Sequence, residues 1–142
     1  MNGGFIQAGE WREHARALSS EGWRLQGLCG VDRLGLGGPR FEVVAHLLNR
    51  EAKERRIVHV VAEGDPPTAP SVVDLWPTAN WMEREAFDMF GIVFDGHPSL
   101  TRILMPDDWN GHPQLKSYPL GGIPVEYQGA EIPPPDQRRA YT

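Results

Sequence analysis

The chain has 142 residues and a net charge of −5 at pH 7, which fits one domain and gives no general basic field for a nucleic-acid backbone. Its single cysteine, Cys29, excludes an internal disulfide and cannot by itself hold an iron–sulfur cluster or a thiolate zinc site. There is no signal-peptide pattern and no apolar run of about 20 residues, so we expect a cytosolic chain without a membrane span that could dock onto a membrane-bound partner.

The first part of the chain predicts one helix and three strands. Trp11, Ala15 and Leu18 recur at helical spacing and predict a helix over residues 10–20. Period-two patterns and β-branched residues predict strands over 23–32, 41–48 and 55–62. Short links between successive strands favour an antiparallel meander. In the first strand, the alternation places four side chains on one face: Trp23, Leu25, Cys29 and Val31.

The next segment, from Ser71 to Gly91, predicts a short turn and then the clearest helix. Ser71 with Asp74 resembles a capping pair for the turn, and Asn80 with Glu83 repeats that pattern at the start of a helix over 81–90. Gly91 is the expected end of this helix. The predicted buried face is formed by Met82, Ala86, Met89 and Phe90. A short strand over 92–94 follows.

After Asp95 the composition changes, because residues 96–142 contain eight of the thirteen prolines and almost no periodicity. Proline excludes helix and central strand, yet the segment keeps many large apolar side chains. We therefore predict a compact α+β domain over 1–95, a small, mostly antiparallel sheet with helices packed on it. An extended arm over 96–142 would bury its apolar groups on a partner surface.

Two groups of polar residues could carry chemistry. The predicted second helix carries four charged residues: Glu83, Arg84, Glu85 and Asp88. Their most favoured role is a solvated face, followed by an ion-pair network at an interface, and catalysis is the least favoured role. His97 and His112 each stand in a Gly-His-Pro-x-Leu motif with aspartates nearby. A His/Asp metal site is conceivable, but a turn whose imidazole bonds the backbone is favoured.

The stretch from Ser71 to Trp109 resembles the 30-kDa subunit family of respiratory complex I, known in bacteria as the C subunit of NADH–quinone oxidoreductase. The motifs are E-R-E-x-x-D-x-F-G-I from Glu83, G-H-P-x-L-x-R-I-L-M-P from Gly96, and a second G-H-P from Gly111. The ending, from Gly121 to Arg139, is similar to the actinobacterial branch of this family. The resemblance is strong over residues 71–142 and limited to the strand pattern before them.

The resemblance implies a small α/β unit followed by a long C-terminal arm that wraps the 49-kDa subunit, next to the subunit with the terminal iron–sulfur cluster. It implies an architectural subunit without a cofactor or catalytic residue of its own. FMN, iron–sulfur clusters and quinone would be bound by partner subunits of a proton-translocating complex, and the chain would lie peripherally on the cytoplasmic side of the cell membrane.

Carried over from the family motif, the resemblance implies a partner interface and three structural glycines. The interface residues are Glu83, Arg84, Glu85, Asp88, His97, Pro98, Leu100, Arg102, Trp109, His112, Lys116 and Tyr118. The structural glycines are Gly91, Gly96 and Gly111. A desolvated Arg102 would then make Arg102→Ala weaken assembly with the 49-kDa-like partner while the isolated chain stays folded.

Two departures from the family keep alternatives open. Leu115 and Ser117 stand where the family usually has arginine and aspartate, and the N-terminal part is short. An equivalent subunit of a membrane-bound hydrogenase, or of an F420-dependent or photosynthetic dehydrogenase, is therefore an alternative. A free-standing metalloenzyme using His97 and His112 is the alternative from a different class.

Overall fold

A computed structural model describes residues 5–121 of the chain. The elements are β1 (Phe5–Ile6), α1 (Ala8–Ser20), β2 (Arg24–Asp32), β3 (Phe41–Asn49), β4 (Glu54–Val61), β5 (Thr68–Pro70), α2 (Ala79–Phe90) and β6 (Val93–Asp95). The main sheet has the order β1-β4-β3-β2, in which β2, β3 and β4 are antiparallel and β1 runs parallel to β4. Strands β5 and β6 form a separate parallel pair. The predicted α+β class and antiparallel meander are confirmed.

Both helices belong to a layer on one face of the main sheet. Trp11, Ala15 and Leu18 of α1 and Ala79 and Ala86 of α2 share one hydrophobic core. The sheet contributes the core residues Leu25, Leu28, Val43, Ala45, Leu47, Val58 and Val60. The predicted helix stripe of α1 is confirmed, since each of its three residues is buried. The periodicity predicted the buried side of α1 correctly because one side of this helix contacts the sheet and the other contacts solvent.

The strand pairings place a second set of side chains on the opposite side of the sheet, which we call the open face. Its residues are Phe5, Arg24, Gly27, Cys29, Val31, Glu42, Val44, His46, Leu48, Arg55, Ile57, His59 and Val61. Neither α1 nor α2 packs on this face. The fold over residues 5–121 is thus a two-layer arrangement, with helices on one side of the main sheet.

The prediction that Trp23, Leu25, Cys29 and Val31 share one face of β2 is wrong for the residues after Leu25. Leu25 pairs with Leu47 but Gly27 pairs with His46, so Gln26 is an extra residue in a β-bulge. The bulge shifts the alternation by one position. Leu28 therefore points to the core, whereas Cys29 is exposed on the open face.

The predicted caps of the second segment are only partly correct. The N-cap of α2 is Thr78, without a side-chain hydrogen bond, so Asn80 lies within the helix instead of capping it. The Ser71 hydroxyl does accept a hydrogen bond from the Val73 N–H at 3.3 Å, as a turn cap would. The Asp74 carboxylate instead accepts one from Arg12 of α1 at 2.6 Å. Asp74 thereby connects the turn to α1.

Residues 96–121 contain neither helix nor strand, as the proline content predicts. The remaining predicted arm residues, 122–142, lie outside the described residues, and the domain boundary at residue 95 stays a prediction. Neither helix described between residues 5 and 121 is long and apolar enough to cross a membrane.

Candidate functional site

The charged side chains of α2 do not form a solvated face, because two of the four predicted to lie at a partner interface are fully buried. Glu83 and Asp88 are both 0% exposed. Glu83 lies on the same stripe as Ala79 and Ala86, toward the core. Asp88 lies under the first part of the arm, where its carboxylate is bonded to residues 102–105. The predicted apolar stripe was therefore incomplete, although Ala86 and Met89 are buried as expected.

Glu83 fastens α2 to the turn that precedes it. One carboxylate oxygen accepts a hydrogen bond from the Ser71 hydroxyl at 2.6 Å, and the other accepts one from the Val72 N–H at 2.8 Å. Burial raises the pKa of Glu83 to about 7, even though both hydrogen bonds lower it. Glu83 is thus a structural carboxyl whose proton is retained at pH values where an exposed glutamate is ionised.

Glu83 should make the chain less stable as pH rises from about 4.5 to about 7. The folded chain retains the proton over this range while the unfolded chain releases it, so the free energy of unfolding falls by about 3 kcal/mol. Glu83→Gln keeps the shape and removes the titration. Urea unfolding across this pH range should show a flattened profile for the variant, and an unchanged slope would contradict the assignment to Glu83.

Asp88 joins α2 to the arm through four hydrogen bonds. One oxygen of its carboxylate accepts the N–H groups of Ile103, Leu104 and Met105, at 2.7–3.1 Å. The other accepts the Arg102 guanidinium at 2.7 Å. Burial alone would raise the pKa of Asp88, but these donors outweigh it and lower the pKa to about 2. Asp88 is therefore an ionised carboxylate with a full set of donors, which is unsuited to acid–base catalysis at neutral pH.

Arg102 extends this connection along the arm. Its other guanidinium nitrogen donates to the carbonyl oxygens of Trp109 and Gly111, each at 2.9 Å. Arg84, one turn before Asp88, donates to the carbonyl oxygens of Thr101 and Arg102. Residues 101–111 are consequently held against α2 by side chains from both elements. Arg102 and Asp88, both expected to contact a partner, are paired with each other within this chain.

The two Gly-His-Pro motifs also bond the backbone of the chain, as the favoured turn interpretation predicts. His97 contacts the Asn80 carbonyl at 3.2 Å and accepts the Ser99 N–H at 3.0 Å. A ring nitrogen of His112 lies 2.9 Å from the Asp88 carbonyl oxygen. Both rings thus fasten the arm to α2. Among residues 5–121, no group of three His, Cys, Asp or Glu side chains is arranged to hold a metal ion.

A further buried carboxylate, which the sequence did not single out, also fixes the arm. Asp32, at the end of β2, accepts hydrogen bonds from Arg40 and from the Leu34 and Lys116 N–H groups. Burial opposes ionisation, but these donors lower the pKa of Asp32 below its ordinary value. The Lys116 contact therefore uses its backbone, while its side chain is exposed. The sequence hinted at this role of Asp32 only by its position at the end of a predicted strand, and an aspartate there more often indicates a turn.

Ser117, which stands where the family usually has aspartate, forms a hydrogen bond with an arginine. Its hydroxyl lies 3.2 Å from the Arg40 guanidinium, at an exposed position next to the Asp32 contact. An aspartate at this position, as the resemblance implies for the family, could pair with the same arginine.

Ser117→Asp should stabilise the chain by up to about 1 kcal/mol at low salt, since exposed ion pairs contribute little. The gain should disappear at high salt because such pairs are screened. Urea unfolding at both ionic strengths tests this, with Ser117→Asn as the uncharged control. Equal stability of the two variants at low salt would show that Arg40 is fully engaged by Asp32.

The remaining predicted interface residues differ in how far they reach the surface. Glu85, Pro98 and Lys116 are exposed, whereas Arg84, Leu100, Trp109 and Tyr118 are half-buried. Leu100 packs against the core of this chain. Two apolar side chains outside the predicted set are exposed beside the junction of α2 and the arm: Trp81 (62%), which stacks on Arg84, and Leu104 (61%). We call Trp81, Glu85 and Leu104 the junction surface.

The glycines of the motifs occupy conformations or spaces that suit glycine. Gly91 ends α2, as predicted, and its φ of 74° lies in the left-handed region that favours glycine. A Cβ on Gly91 would lie 2.8 Å from the His112 ring, and one on Gly111 would lie 3.1 Å from the Tyr118 ring. The junction of α2 and the arm is therefore closely packed around its histidine and tyrosine.

The family model described as respiratory-chain NADH dehydrogenase, 30 Kd subunit, matches residues 5–124. The chain belongs to this family. The C subunit of the NADH-quinone oxidoreductase of Saccharopolyspora erythraea is 65% identical over 115 residues, which are 81% of this chain and 46% of that protein. This chain thus spans about half the length of the curated relatives it matches. The resemblance deduced from the motifs is confirmed.

Two solved structures agree with the fold. A structure described as Nqo5 of the trypsin-resistant fragment (1-134) is 34% identical, with a TM-score of 0.62 over 68% of this chain and 80% of that chain. A chain of the membrane-bound sulfane sulfur reductase, an archaeal respiratory membrane complex, is 25% identical, with a TM-score of 0.70 over 82% of this chain and 70% of that chain.

Proposed function

We propose that the chain is a structural subunit of an NADH–quinone oxidoreductase of the complex I type and contributes no catalytic group. The family match over residues 5–124 carries this proposal. The geometry supports it, since Glu83, Asp88, His97 and His112 are all engaged in bonds that hold α2, its preceding turn and the arm together. Flavin, iron–sulfur clusters and quinone would then be bound by other subunits, with this chain peripheral on the cytoplasmic side of the membrane.

The partner-binding part of the family motif would be its exposed side. Asp88 and Arg102 satisfy each other within the chain, so they would support the interface by fixing the arm. The junction surface offers an exposed aromatic anchor, a carboxylate and an apolar side chain. Tryptophan is enriched among the residues that dominate binding energy at protein interfaces. We infer that the 49-kDa-like subunit contacts this surface, with the terminal-cluster subunit nearby.

Trp81→Glu and Leu104→Glu should each lower incorporation of the chain into the complex about ten-fold or more, because a charge would be buried against the partner. Both side chains are exposed, so the isolated chain should unfold at the same urea concentration as the wild type. Affinity purification through a tag on the chain, with quantitation of the 49-kDa-like and cluster-bearing subunits, measures incorporation. Leu36→Glu, at an exposed leucine of the β2–β3 loop, is the matched control.

If the tagged wild-type chain co-purifies with neither the 49-kDa-like subunit nor the cluster-bearing subunit, the structural-subunit proposal is overturned. Normal yields for both glutamate variants would instead move the interface away from the junction surface.

A second candidate is the same structural role in a related respiratory membrane complex. The similarity to a chain of the archaeal sulfane sulfur reductase complex favours it, although that chain is 25% identical while relatives from NADH-quinone oxidoreductases reach 65%. The partners recovered in the same purification distinguish the two candidates: flavin-bearing NADH-oxidising subunits support the first, and their replacement by a different electron-input module supports the second.

A further inference from the structure

The open face of the main sheet carries buried apolar groups that do not belong to the hydrophobic core. Val44 and Val61 are each 8% exposed, yet neither is a member of the core cluster that contains their neighbours Val43 and Val60. Two other apolar side chains of the same face are exposed. Ile57, diagonally across the β3–β4 pairing from Val44, is 51% exposed, and Phe5, opposite His59, is 44% exposed. Within residues 5–121, neither helix covers this surface.

A polar cluster on the same face has unused hydrogen-bonding capacity. The side chain of Glu42 is 4% exposed and lies 3.5 Å from Arg33 and 3.4 Å from His59. Among the described residues, Glu42 Oε2, His59 Nδ1 and Arg33 Nε are buried and make no hydrogen bond. A buried polar atom without a hydrogen-bond partner destabilises the state that buries it. A partner that rearranges or completes this cluster would therefore gain affinity from it.

The charge of the open face is opposite to that of the whole chain. Arg24 and Arg55 lie at one end, on either side of Leu48, and both are exposed. Arg33 lies at the other end, above Glu42 and against the Phe5 ring. Glu42 is the one acidic residue of the face, in a chain of net charge −5. A second copy of the chain would place arginines against arginines, so the charges favour an acidic partner.

The size and chemistry of the face suit one helix. Three long strands spaced about 4.8 Å apart are about as wide as a helix of about 10 Å diameter. The exposed side chains of Phe5 and Ile57, with half-buried Leu48, would take the apolar stripe of an amphipathic helix, and Arg24 and Arg55 would take its carboxylates. We propose that the open face binds an acidic amphipathic helix of a partner subunit, as a contact separate from the junction surface.

This inference rests on the proposed place in a complex, and a photo-crosslinker at residue 57 tests it there. The chain with Ile57 replaced by p-benzoylphenylalanine is expressed in its host, the assembled complex is purified and irradiated, and crosslinked peptides are sequenced by mass spectrometry. We expect one crosslinked segment that belongs to another subunit, has helical apolar spacing and is rich in Asp and Glu. The same probe at Glu13, on the exposed side of α1, should crosslink a different segment or none.

Charge reversal supplies the second arm of the test. Arg24→Glu with Arg55→Glu should reduce the Ile57 crosslink roughly ten-fold by repelling the acidic segment, whereas Arg16→Glu on α1 should leave it unchanged. A crosslink to a second copy, to residues 122–142 of the same chain, to a basic segment, to nucleic acid or to nothing would overturn the proposal. If the chain enters the complex but fails these tests, only this inference falls. If it enters no complex, the proposed function and this inference fall together.

Discussion

Replacing Arg102 by alanine should lower the free energy of unfolding of the isolated chain by about 3–5 kcal/mol, the usual effect of breaking one side of a buried ion pair. Asp88 would remain buried with one strong donor lost, and the carbonyl groups of Trp109 and Gly111 would lose theirs. A loss of that size is a large part of the stability of a small domain. This expectation differs from the sequence-based one, in which the isolated variant stays folded, because Arg102 and Asp88 pair with each other within the chain.

Urea unfolding and amide hydrogen exchange measure this effect. Exchange should accelerate most at the Ile103, Leu104 and Met105 N–H groups, which donate to Asp88, and least in the strands of the main sheet. Arg84→Ala is the control, since it also removes bonds to arm carbonyls but breaks no ion pair, and it should cost about 1 kcal/mol.

A double-mutant cycle with Asp88→Asn isolates the pair. We expect a coupling energy of at least about 1 kcal/mol between Asp88 and Arg102. Wild-type stability of the isolated Arg102→Ala chain, together with poor incorporation into the complex, would instead show that Arg102 acts mainly at the partner surface.

The helices and long strands could be predicted because each has one buried and one exposed side, which leaves a period in the sequence. β1 and β5 were not predicted, since strands of two and three residues show no period, whereas the equally short β6 was indicated by its apolar run after Gly91. The error in β2 came from Gln26, because a bulge is an extra residue in the register and leaves no mark in the hydrophobic pattern.

The junction of α2 and the arm was harder to predict, because Glu83 is buried toward the hydrophobic core whereas Asp88 is buried under the arm. Glu83 stands four residues after Ala79 and three before Ala86, so its place on the buried stripe was visible in the sequence. Asp88 faces the arm, and an arm without periodicity gives no sign of which helix side it covers. The motif pointed to the right residues, but it could not distinguish contacts within the chain from contacts with a partner.

Gly91→Val is expected to destabilise the isolated chain by roughly 2–5 kcal/mol, through two separable causes. The first is backbone strain, since a side chain at φ of 74° adopts a left-handed conformation that costs about 1–2 kcal/mol. The second is crowding, since a Cβ would lie 2.8 Å from the His112 ring. That ring cannot move away freely, because one of its nitrogens is 2.9 Å from the Asp88 carbonyl oxygen.

Gly96→Val separates these causes, because Gly96 has φ of 82° but a Cβ added there would have nothing within 4 Å. It should show the strain alone, so urea unfolding should find Gly91→Val the less stable of the two by about 1–3 kcal/mol. Adding His112→Ala to Gly91→Val should recover part of that difference by making room for the valine. Equal losses for the two single variants would show that the His112 ring turns aside, and that the arm is held to the end of α2 by Asp88 and Arg102 without it.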